Sequence, residues 1–75
     1  SEYPAEKDRL DVVEGMVEIL ISLHAERLID EFDARGIDTD EFERSLAETD
    51  LRRGGSQLLS TLEREARREG ITEPY

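Results

Sequence analysis

The chain contains no cysteine and no tryptophan, and only two phenylalanines, two tyrosines and two prolines. Without cysteine it can form neither disulfides nor thiolate metal sites. That composition suits a reducing compartment, so a cytoplasmic location is expected. Lysine is nearly missing as well: Lys7 stands alone against nine arginines. No apolar run approaches the about 18 residues that a bilayer span requires. The first residues, Ser1-Glu2-Tyr3-Pro4, are acidic and lack the basic opening of a secretory signal. A soluble protein with no membrane partner is expected.

Acidic side chains are abundant. Twenty aspartates and glutamates face ten cations, for a net charge of -10. Heavy acidity with almost no lysine is the composition of a protein adapted to high salt, or of a GC-rich genome. At about 1 M salt the Debye length falls to about 3 Å, and acidic self-repulsion is largely screened. High charge and few aromatics also resemble the composition of disordered chains. The ordered spacing of the apolar residues argues against disorder here.

Seventy-five residues make one helical domain, 1–75. A chain this short buries only about 60% of the surface that its unfolded form exposes. Domains of that size usually need a disulfide, a metal or a partner. With cysteine absent, association with another chain is the expected support.

The segment RLDVVEGMVEILISLHAERLIDEF carries one apolar seam at Leu10, Val13, Val17, Leu20, His24 and Leu28. The steps of three and four residues mark one helix face. Val12, Met16, Ile19 and Leu23 form a second seam beside it, and Ile21 and Phe32 widen the stripe on the other flank. Together they cover an arc of about 220°, whereas one partner helix needs about 100°. The width predicts packing on two sides. Pro4 fits the first turn of this helix and Gly36 its end. A helix from Pro4 to Arg35 would be about 48 Å long.

Asp38 or Thr39 can cap a second helix, with Glu41 placed as the partner acid of a capping box. Phe42, Leu46 and Ala47 share its apolar face. Gly54-Gly55 then reads as a stop and Ser56 as the cap of a further helix, whose stripe is Leu58, Leu59, Leu62 and Ala66. Gly70 ends that helix. No strand-type alternation appears.

The candidate sites are few. His24 is the only histidine. A di-iron bundle would need a glutamate three residues before it, and Ile21 stands there instead. No metal site or cofactor is therefore expected, and His24 reads as a polar member of an oligomer seam. Arg27 and Glu31 fall inside the apolar sector and should pair with each other or across an interface. No P-loop, zinc-protease motif, calcium loop or acid–base pair is present, so the chain is not expected to be an enzyme.

Charge is uneven. Residues 1–50 hold 5 basic and 16 acidic side chains, and residues 51–75 hold 5 basic and 4 acidic. Arg52, Arg53 and Ser56 flank the two glycines, and a helix starting at Ser56 could hold an anion or an acidic partner there. Residues 50–68 could also read DNA as a recognition helix. Against that stands the acidity of the whole domain. The glutamates at 63, 65 and 69 that interleave Arg64, Arg67 and Arg68 suit an ordinary solvated face.

These readings converge on an all-α chain: a long helical hairpin whose second arm is broken near Gly54-Gly55, assembling as a helical-bundle homodimer. The expected function is a small non-enzymatic interaction or regulatory module acting as an oligomer. Val13, Val17, Leu20, Leu23, His24 and Leu28 are its expected interface. The alternatives are a DNA-binding regulator using residues 50–68 and a carboxylate/histidine metal bundle built from His24 with Glu14, Glu18 or Glu31.

Overall fold

Three helices and no strand make up the described part of the chain. They are α1 (Glu6–Ala34), α2 (Asp40–Glu48) and α3 (Leu51–Arg68). A computed structural model describes residues 6–71, with side chains from Asp8 onward. The expected start at Pro4 lies outside the described residues.

α1 ends as the sequence predicts. Gly36 has φ 77°, a conformation open to glycine because it lacks Cβ. The Ile37 N–H donates to the Phe32 carbonyl at 3.0 Å and the Gly36 N–H to the Asp33 carbonyl at 3.0 Å. This pair of bonds is a Schellman motif, which satisfies carbonyls that the helix end would otherwise leave bare. Gly70 repeats the device at the end of α3, with φ 74° and the Ile71 N–H on the Ala66 carbonyl at 2.8 Å. Each motif turns the next residue inward: Ile71 is buried in the core and Ile37 packs against it.

The second arm differs from expectation. It is interrupted at Thr49-Asp50, and α3 runs unbroken through Gly54-Gly55. Asp50 is the cap: its carboxylate accepts the Arg52 N–H at 3.1 Å. Ser56 lies inside the helix, in its second turn. Both residues are good cap types, and the two glycines drew the sequence reading to the wrong one. Packing accounts for the glycines instead. A Cβ on Gly55 would sit 3.2 Å from Ile21 Cδ1 and 3.3 Å from Ile21 Cγ2. The missing side chain lets α3 approach α1 closely, and this offsets the helix-propensity cost of about 1 kcal/mol per glycine. Asp50→Ala is expected to lower stability by about 1 kcal/mol, while Ser56→Ala stays within about 0.5 kcal/mol. Urea denaturation of the two variants checks this, and the reverse order would restore Ser56 as the cap.

The direction of α3 also departs from a simple hairpin. Arg52 reaches Glu18 and Gly55 lies against Ile21. The offset is 34 residues in both pairs, so α3 runs parallel to α1. α2 makes the return: Phe42 stacks on Phe32 with ring centroids 5.1 Å apart, while Leu46, Ala47 and Leu51 lie near Ser22 and Glu26. The path is therefore up, briefly down, and up again. At the same offset the start of α3 is level with residue 17 of α1, so the first part of the long helix extends past it. The described chain measures 53 × 28 × 17 Å.

The core lies along the second half of α1. Ala25, Leu28, Ile29, Phe32, Leu62, Ala66 and Ile71 are buried together, with Ile37, Phe42, Leu46, Leu58 and Leu59 packed around them. Phe32 and Leu62 are the largest fully buried side chains.

Candidate interaction surface

α1 has two apolar faces. Ile21, Ala25, Leu28, Ile29 and Phe32 point into the core. Leu10, Val12, Val13, Met16, Val17, Ile19, Leu20 and Leu23 do not: each is between 47% and 64% exposed. At 100° per residue the two sets centre roughly 130° apart around the helix. The apolar stripe thus changes face along the helix. In the first half, the side that points toward α3 carries Asp11, Glu14, Glu18 and Ser22. In the second half, the outward side becomes polar with Arg27, Asp30 and Glu31.

The polar inner side of the first half holds the start of α3. Arg52 donates from Nε to Glu18 at 3.1 Å and lies 3.3 Å from Glu14. These groups are largely solvated, so the pairs are worth at most about 1 kcal/mol. They hold Glu14 and Glu18 on the α3 side of the helix, opposite the exposed apolar residues.

The expected interface residues separate into two groups. Val13, Val17, Leu20 and Leu23 lie on the exposed face. His24 is partly buried at its edge. Leu28, by contrast, is only 4% exposed and belongs to the core of its own chain, so it cannot contact a partner. It shares a wheel sector with the seam, but α3 covers that sector from residue 21 onward. Sequence periodicity gave Val12, Met16 and Ile19 as a second seam; the structure places them on the exposed face. Arg27 and Glu31 are not each other's partners: Glu31 accepts from Arg35 at 2.9 Å.

The expected anion site does not assemble. Ser56 does not begin a helix, so it presents no open N-terminal turn. At the true start of α3 the Asp50 carboxylate occupies the N-terminal position. Arg52 is engaged with Glu14 and Glu18, and Arg53 lies 3.7 Å from Asp50. Ser56 and Arg53 are exposed. The outer side of α3 carries Gln57, Ser60, Thr61 and Arg64 around a shallow groove.

Among the described residues, no three histidine, aspartate or glutamate side chains gather closely enough to hold a metal ion. A groove between α1 and α2 has Ile29 and Leu46 in its wall beside Glu26, Asp30 and Glu43. Its titratable groups are all carboxylates. Among the described residues, no helix is long and apolar enough to cross a membrane.

No family model matches the chain, and no curated protein or solved structure matches it either.

Proposed function

We propose that the chain is a non-enzymatic protein–protein interaction module that acts as an oligomer, with the outer face of α1 as its contact surface. One observation carries this reading. Eight large apolar side chains lie together on one solvent-facing side of a single helix. At roughly 100 Å² exposed on each, they form a patch of about 800 Å², above the about 300–600 Å² of the largest patch on a typical monomer. One side of a standard protein interface is also about 800 Å².

The small core supports the same reading. It gathers around seven buried side chains, and the first half of α1 contributes none of them. Covering the outer face would remove apolar surface from water at about 25 cal/mol per Å², less the cost of association. The net charge of -10 opposes assembly at low salt and is screened at high salt. The oligomer is therefore expected to strengthen as salt rises.

Sedimentation over a range of concentrations and salt tests the reading. A mass above one chain, growing with concentration and salt, is expected. A single-chain mass at the highest concentration and salt would overturn it.

A further inference from the structure

We infer that the assembly contains four copies of this chain, with the first halves of four α1 helices forming a bundle and the three-helix bodies outside it. The inference rests on the outer face of α1 being a self-association surface. It is carried by how wide that face is and by how few helices each chain can give to it.

Val13, Met16, Leu20 and Leu23 form the middle of the exposed face. Their steps of three, four and three residues are those of a packed helical seam. Both flanks of the seam are apolar as well: Val12 and Ile19 on one side, Leu10 and Val17 on the other. All eight are about half exposed or more. From Ile19 round to Leu10 the face spans about 180° at 100° per residue, nearly twice the about 100° that one neighbouring helix covers. A second copy alone would leave both flanks largely in water. Two neighbours 60° apart, as in a bundle of three, cover about 160° and leave the flank edges bare, whereas two at a right angle, as at the corner of a square, cover about 190°. Each flank then meets one neighbour and the middle seam points to the bundle axis.

Four helices could in principle come from two chains, if each gave two. The arrangement of the helices argues against that here. α2 has nine residues and packs beside the second half of α1, while α3 turns its apolar side to the core, with Leu62 and Ala66 buried and Leu58 and Leu59 partly buried against them. Only α1 is left to face a neighbour, so a bundle of four helices needs four chains.

The charges agree with this placement. Asp11, Glu14 and Glu18 lie on the side of α1 away from the exposed face, where Arg52 of the same chain pairs with the two glutamates. They would face outward, toward α3. Arg9 and Arg27 continue the middle seam by four residues at either end, and both are exposed. They end the apolar layers, with long stems that can carry their charges back to solvent.

Four identical chains can close with point-group symmetry, the commonest kind of assembly after the twofold dimer. The test is light scattering or sedimentation equilibrium at about 1 M KCl, where the Debye length is about 3 Å and repulsion between the chains is screened. The expected mass is four times the 8.6 kDa of one chain. The double variant Val12→Gln/Ile19→Gln removes one flank and leaves the middle seam intact, so it should assemble as two chains. Neither residue packs in the core, and circular dichroism should show the three-helix body still folded. A wild-type mass of two or three chains, or a double variant that remains fourfold, would overturn the bundle of four while leaving self-assembly standing. A mass of one chain would overturn both.

Discussion

Replacing Phe32 by alanine is expected to cost about 3–5 kcal/mol, the range for truncating a buried aromatic. Phe32 is 1% exposed and stacks on Phe42, so the cavity would open where α1, α2 and the turn at Gly36 meet. At 0.05–0.15 kcal/mol per residue, the whole chain has roughly 4–11 kcal/mol to lose. The variant should therefore be largely unfolded near 37 °C. Thermal denaturation followed by circular dichroism reads the effect. A melting curve like that of the parent chain would mean that Phe32 is not at the centre of the core.

Leu20→Asp has an equally large effect of a different kind. Leu20 is 64% exposed within one chain, so an aspartate there meets water and leaves the core untouched. In the assembly it would place an unpaired charge among apolar side chains. A penalty of about 3 kcal/mol or more is expected, which weakens association by about 100-fold or more. The mass should fall to one chain. Helicity should fall only in part, because Ala25, Leu28, Ile29 and Phe32 keep their contacts with Leu62 and Ala66. The uncovered first half of α1 has no such contacts, and isolated short helices are marginal in water. An unchanged mass would remove the outer face as the contact surface, and complete loss of helicity would show that the body cannot stand alone.

The two substitutions lie twelve residues apart on one helix, yet sequence periodicity does not separate them. Leu20 reads as the middle of the principal seam, and Phe32 only as a residue widening one flank. The structure makes Phe32 the heart of the core and leaves Leu20 in solvent. Leu28 shows the same limit, since it continues the seam of Leu20 by spacing but is buried by its own chain. Spacing along a helix gives the angle between two side chains. It does not say which angle another helix will cover.

The glycines mark a second limit. Gly36 and Gly70 were legible because a glycine after an apolar helical run offers the left-handed turn that ends it. Gly54-Gly55 carries a similar local signal but sits inside α3. The difference is Ile21, 34 residues earlier, whose side chain fills the space that a Cβ on Gly55 would take. No local rule contains that contact. Asp50 is of a good cap type as well, but choosing it over Ser56 requires knowing that the helix continues through the glycines.

What the sequence determined by itself is the helical class, the ends at Gly36 and Gly70, and an apolar arc on α1 too wide for one partner. These follow from spacing and backbone chemistry within a few turns. The tertiary structure decided the rest: the break at Thr49-Asp50, the parallel run of α3, the burial of Ile71, and the sector of the wide arc left in water. The physical reason is that α1 offers more apolar surface than two short helices can cover. The burial of Ala25, Leu28, Ile29 and Phe32 with Leu62 and Ala66, together with the close approach at Gly55, places α3 on one side of α1, and the opposite side stays exposed.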